Sequence, residues 1–220
     1  MAYNYLIPSW FFGLDFIFEL AFAIITLIVG LYAFKVFKLS GQHKIKLFGI
    51  SFIFFSISYF IQSFINYAII SKLGENICNV IKLESVNILN LLGIYVHIFF
   101  FILGLVTLVY MTLNIKSAKT YTMILFITFF SLFISLNKIY LFYILSSLML
   151  IYIVVHYFNN YSKNKQRSSL LVLIAFIFLL FGHIHFIFSV NHTIFYTIAH
   201  FLELSSYVLI LINLIWVLKK

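Results

Sequence analysis

The stretch that decides the fold is residues 194–218, IFYTIAHFLELSSYVLILINLIWVL, an apolar run whose single charged residue is Glu203. A helix rising about 1.5 Å per residue over this length crosses the roughly 30 Å of hydrocarbon in a bilayer. A carboxylate placed there has to be received by something. His200, Glu203 and Tyr207 stand at i, i+3 and i+7, on one helical face, so all three point the same way.

The same apolar pattern fills the chain. Of 220 residues, 65% are hydrophobic and 9% charged, and the mean hydropathy is +1.15, well outside the range of a water-soluble domain. Seven apolar runs lie near 7–36, 47–71, 88–114, 120–136, 139–159, 169–190 and 194–218. The fourth is the shortest, and it meets the fifth at Asn137-Lys138. One Pro, and apolar runs with no period of two, predict helices rather than barrel strands. The expectation is an all-α, polytopic seven-helix transmembrane bundle forming one domain over 1–220. No basic segment precedes the first run and no small-residue cleavage site follows it, so that run reads as a retained helix.

Orientation follows from the cations. Lys35, Lys38, Lys44, Lys46, Lys116, Lys119, Lys163, Lys165, Arg167, Lys219 and Lys220 fall on one side, against Lys72, Lys82 and Lys138 on the other. The richer side is expected in the cytoplasm, which puts the N-terminus outside and the C-terminus inside, in the cell membrane. The net charge of +9 is then a topology signal and an attraction to anionic membrane lipid, and it calls for no nucleic-acid partner. The single Cys78 excludes an intrachain disulfide and a cysteine-based zinc site. Asn191-His192-Thr193 matches a glycosylation sequon close to the membrane.

Five acidic residues exist, and Asp15, Glu19 and Glu203 lie within the apolar runs. Each costs about 2.5–3.5 kcal/mol on insertion, so such groups face a bundle interior and have a partner or a function. Counted from the outer end of each run, Asp15, Glu19, His97, His200 and Glu203 lie about 10–18 Å deep, and His183 and His185 about 6–9 Å. Asp15 and Glu19 are i, i+4 and point with Thr26. Ser58, Gln62 and Asn66 form a second stripe, and Asn90, Gly93, His97 and Gly104 a third. Small residues on the His97 face favour close helix packing and place that His inside the bundle. His183 and His185, two residues apart, differ by about 200° of rotation, so only one of them can join.

Three classes of function fit this set. As a ligand-binding or sensory module, the chain would bind a small ligand or ion through Asp15, Glu19, Gln62, Asn66, His97, His200, Glu203 and Tyr207. As a haem- or divalent-metal-binding protein, His97, His183 or His185, His200 and Glu203 are the ligands, although no HxxxH or HExxH spacing occurs. As a proton or ion transporter it would need polar groups in the inner half, which holds little beyond Thr26, Ser51 and Ser56. No catalytic constellation is assigned. Every Lys sits at a run's end or in a loop, so the mid-membrane Lys that a retinal Schiff base needs is not in place. TLNIKSAK (112–119) and LILINLIWVLKK (209–220) lack the acidic-Arg pair and Pro motif of G-protein-coupled receptors.

GLDFIFELAF (13–22), YAFKVFKLSGQHKIKLFGISFIFFSISYFIQ (32–62) and AHFLELSSYVLILI (199–212) resemble the seven-helix membrane sensor modules found ahead of prokaryotic histidine kinases and nucleotide cyclases. The resemblance implies a seven-helix sensory fold. Because those modules are fused to a cytoplasmic effector and this sequence stops at Lys220, it also implies a separate cytoplasmic or membrane signalling partner.

Overall fold

The computed structural model describes residues 10–11, 13–75, 83–114, 117–189 and 192–218, with side chains for all of these except 69–75 and 83–90. Cys78, Lys82, Lys116, Asn191, Lys219 and Lys220 lie outside the described residues, and so does the side chain of Asn90. Seven helices follow in chain order: α1 Leu14–Ser40, α2 His43–Glu75, α3 Leu83–Leu113, α4 Ala118–Ile134, α5 Lys138–Asn164, α6 Arg167–Phe188 and α7 Ile194–Leu218. Among the described residues there is no strand. Six helices are long and apolar enough to cross a membrane, and α4 is a shorter apolar helix of 17 residues. The bundle is that of a multi-pass integral membrane protein.

Local chemistry sets the helix ends. Gly41 ends α1 in the left-handed region at φ 68°, returning its N–H to the Phe37 carbonyl, a conformation that glycine adopts without steric cost. Asn137 starts α5 by accepting the Tyr140 N–H on its side chain. One boundary differs from the expectation. The first apolar run begins near residue 7, but α1 begins at Leu14, because Gly13 at φ 92° and a turn from Leu14 N–H to the Phe11 carbonyl precede it. Apolar composition alone does not distinguish an apolar turn from a helix. Asp15 therefore lies in the first turn of α1, not two turns deep.

Six helices close a ring. α1 packs on α2, α2 on α3, α3 on α5, α5 on α6, α6 on α7, and α7 returns to α1. Among the described residues, α4 packs only against α3 and α5, outside the ring. It runs antiparallel to α3: Tyr121 meets Thr107 and Phe129 stacks on Phe99. The neighbours α3 and α5 are consequently parallel, with Lys138 beside Tyr95 and Phe142 beside Phe101. α1 and α7 are also parallel, through the pairs Phe18–Phe201 and Phe22–Tyr207. The starts of α1, α3, α5 and α7 thus share one end of the bundle. All five acids lie in the half toward that end, and Lys35, Lys38, Lys44, Lys46, Lys119, Lys163, Lys165 and Arg167 lie at the other.

Lipid is as apolar as Leu or Phe, so the helices are held by contact rather than by escape from water. The ring is filled by fully buried aromatics, among them Phe22, Phe52, Phe55, Phe101, Phe142 and Phe176. Many meet edge to face, such as Phe52–Phe55 and Phe101–Phe142, a geometry worth about 0.5–1.5 kcal/mol per pair. Glycines bring the α1–α2–α3 wall together. A Cβ on Gly30 would come within 2.8 Å of Ile53, one on Gly93 within 2.7 Å of Ile65, and one on Gly104 within 2.6 Å of Phe55 and 2.9 Å of the Ser51 carbonyl oxygen.

The backbone contact at Gly104 leaves nothing flexible to move aside. Gly104→Ala is therefore expected to destabilise the bundle by about 1–3 kcal/mol through overpacking. Leu148→Ala, on the exposed face of α5, should change stability by less than about 0.5 kcal/mol. Thermal unfolding of both variants in one detergent checks the difference.

Candidate functional site

The α7 face foreseen from spacing points into the ring: His200 and Glu203 are 3% exposed and Tyr207 is fully buried. Glu203 meets two other helices. The Tyr59 hydroxyl of α2 donates to its Oε2 at 3.3 Å, and His183 Nε2 of α6 lies 3.4 Å from its Oε1. Tyr59 and Tyr207 hydroxyls are 2.8 Å apart. With the Tyr59 proton directed at the carboxylate, Tyr207 is the donor in that pair, giving a relay Tyr207→Tyr59→Glu203. Close approach of α6 makes room for it, since a Cβ on Gly182 would stand 3.2 Å from Glu203 Cγ.

His183 is 1% exposed and ringed by Phe101, Phe142, Tyr143 and Phe186. Its Nδ1 has no hydrogen-bond partner, and its Nε2 approaches Glu203 without hydrogen-bond geometry. A buried polar atom left in this state is costly. His185, on the opposite face, is half-exposed; its Nδ1 donates to the Phe181 carbonyl at 2.7 Å and its ring rests on Phe195. Only His183 therefore joins the core.

A second pair ties α1 to α2. The Asn66 amide nitrogen donates to both Glu19 oxygens, at 3.0 and 2.8 Å. Gln62, one turn away, buries an Oε1 that has no partner. A third contact ties α2 to α3: the Ser58 hydroxyl donates to the His97 carbonyl at 2.7 Å and lies 2.9 Å from His97 Nδ1. The Ser58 proton is committed to the carbonyl, so in the neutral ring Nδ1 carries the proton and Nε2 the lone pair. His200 has the same tautomer, because its Nδ1 donates to the Tyr196 carbonyl at 2.9 Å. Phe11, Phe18, Phe22, Phe186 and Tyr196 enclose the His200 ring.

The expected residues thus separate into neighbouring groups. Glu203, His183 and Tyr207 share one network, Glu19 and Asn66 a second, and His97 a third, with the Tyr59 ring 5.6 Å from His97 and 5.2 Å from Phe22. His200 faces inward but bonds to no acid. Asp15 does not reach it: its Oδ1 instead accepts from the N–H groups of Gly13 and Phe16, closing the start of α1. As metal ligands, His97, His183, His185, His200 and Glu203 are not gathered: no three His, Cys, Asp or Glu among the described residues are placed to hold a metal ion. His185 turns outward, and aromatic rings separate the other imidazoles. Tyr59 is the residue that sequence reasoning missed. Its signal was a tyrosine midway along a span, away from the interfacial belts where tyrosine is common.

Among the described residues the only basic side chain beside a carboxyl group is His183, 3.4 Å from Glu203. Asp15, Glu19 and Glu203 are all at most 5% exposed, and no Lys or Arg compensates them. No family model, curated protein or solved structure matches the chain.

The Glu19–Asn66 contact gives a direct measurement. A buried polar group that loses its hydrogen-bond partner costs about 1–3 kcal/mol, so Asn66→Ala should destabilise by about that amount. In the double variant with Glu19→Ala, most of the loss should be absent. A double-mutant cycle on unfolding in detergent should give a coupling of about 1–3 kcal/mol.

Proposed function

We propose that the chain is a sensory, ligand-binding module of the cell membrane, with its N-terminus outside and C-terminus cytoplasmic, whose core at the acidic end takes up a small cation. The observation that carries this reading is three buried carboxyl groups with no Lys or Arg beside them: Glu203 meets Tyr59 and His183, Glu19 meets Asn66, and Asp15 accepts backbone N–H groups. Insertion of each acid costs about 2.5–3.5 kcal/mol, whereas interhelical polar contacts return only about 0.6 kcal/mol on average. A bound cation removes that deficit. His183 Nδ1 and Gln62 Oε1 supply neutral polar atoms of the kind such a ligand uses.

The orientation rests on the cation asymmetry between the two ends. Signalling rests on connectivity: Glu203, His183, Tyr59, Glu19 and Asn66 come from α1, α2, α6 and α7, so a ligand among them changes how those helices pack. The basic loops at 35–46 and 163–167 then meet inner-leaflet lipid or a partner on the cytoplasmic side. A haem or transition-metal reading is favoured by one observation, that His97 and His200 both anchor Nδ1 and leave Nε2 as the lone-pair nitrogen.

The test is thermal unfolding of the purified protein with chlorides of Na⁺, K⁺, Mg²⁺, Ca²⁺ or Zn²⁺, and with ethanolammonium. At least one is expected to stabilise the wild type, by about 2.7 kcal/mol at a hundredfold excess over Kd. Glu203→Gln and Glu19→Gln should melt normally and lose that response. No response to any cation, with Glu203→Gln simply more stable, would reduce the core to a structural one. A Soret band or stoichiometric metal lost in His97→Ala and His200→Ala would carry the haem or metal reading instead.

A further inference from the structure

Outside the ring, where α4 lies against α3 and α5, a groove of about 520 Å³ opens on the outer surface of the bundle. Its walls are Tyr95, Val96 and Phe99 of α3 and Phe129 and Phe133 of α4, and Lys138 of α5 closes one end. The volume is that of a small-molecule site. Phe99 and Phe129 stack at 5.1 Å and 27°, so the floor is already formed. Phe133 is 78% exposed and Phe99 46%, which opens the groove to the hydrocarbon around the bundle.

Lys138 sets the chemistry. Its Nζ donates to the Ser135 carbonyl at 3.3 Å and sits 5.9 Å from the Tyr95 ring centroid. Among the described residues no carboxylate pairs with it. Lys138 is the first residue of α5, at the acidic end of the bundle, while the apolar walls run from there toward the middle of α3. A half-buried ammonium at one end of an aromatic trough matches an amphiphile with an anionic head and a hydrocarbon tail.

We propose that this groove is a binding site for one anionic membrane lipid, its acyl chain lying between α3 and α4 and its phosphate on Lys138. A second copy of the chain is the competing occupant, and it is an outcome of the test. This site shares no residue with the polar core and does not depend on the function proposed for it.

Native mass spectrometry of the full chain, released from micelles containing equal phosphatidylglycerol and phosphatidylcholine, tests the site. One phosphatidylglycerol should be retained in preference to phosphatidylcholine, and Lys138→Gln should reduce that preference about fivefold, the effect of one cation at a membrane surface. Val96→Phe, which fills the groove and leaves Lys138 in place, should remove the bound lipid while thermal unfolding stays close to wild type. Equal retention of the two lipids by the wild type would overturn the proposal. So would retention unchanged in Lys138→Gln, or a dimer whose cross-links run through Phe133.

Discussion

The structure depends on the need of one carboxyl group for company. Glu203 stands in the middle of an apolar helix, and lipid offers it nothing to bond to. Its solution is to turn inward, where Tyr59 and His183 reach it from α2 and α6. That contact fixes the rotation of α7 and draws in its neighbours. Tyr207 follows on the same face, and the glycine at 182 lets α6 approach closely enough for the imidazole to arrive. Apolar packing alone would leave a rotated α7 nearly as stable, since Leu and Phe fit lipid as readily as they fit one another. The polar contact is what makes one arrangement preferable.

The two sides of this core are built differently. On the α1–α2–α3 side, Gly30, Gly49, Gly93 and Gly104 bring backbones close enough that most added methyl groups would collide. Thr26, Ser51 and Ser56 on the same side return their hydroxyls to backbone carbonyls, Ser56 across the helix boundary to Ala23. Those polar groups are satisfied locally and ask nothing of the core. On the α5–α6–α7 side, Ser146, Ser147, Ser206 and Asn213 each bury an oxygen with no hydrogen-bond partner, in addition to His183. One wall is closely packed and leaves only Gln62 Oε1 without a partner among the described residues. The other carries unspent hydrogen-bonding capacity, so a ligand or proton has more to gain there.

Much of this was legible in the sequence, for identifiable reasons. Length and apolar content determine the helices, and the break at Asn137 was marked by two polar residues between apolar runs. The rule of i, i+3 and i+7 was enough to place His200, Glu203 and Tyr207 on the inner face, and the glycines beside His97 placed that residue inside the bundle. The start of α1 was not legible, because Trp10 and Phe11 are as apolar as the helix that follows and the turn is made by the backbone at Gly13. Pairing was not legible either. Spacing gives a face but not the neighbour across it, so Glu19 finds Asn66 and Ser58 finds His97 where sequence offered only a shared depth.

The place of α4 follows from the same asymmetry between polar and apolar needs. Its buried residues are few, Thr128 and Leu132, and Thr128 bonds back to the Ile124 carbonyl of its own helix. Among the described residues its one polar contact to another helix, Tyr121 with Thr107 of α3, lies near the basic end and away from the polar core, so α4 has no claim on the interior. The ring is closed without it by α3 and α5, which run in the same direction only because α4 carries the chain back along the outside. A helix held mainly by aromatic contacts to two neighbours, and too short to cover them fully, leaves a trough along its side. The polar core and the outer groove are therefore two consequences of one sorting rule: helices bearing groups that lipid cannot satisfy take the ring, and the helix that lacks them stays at its edge.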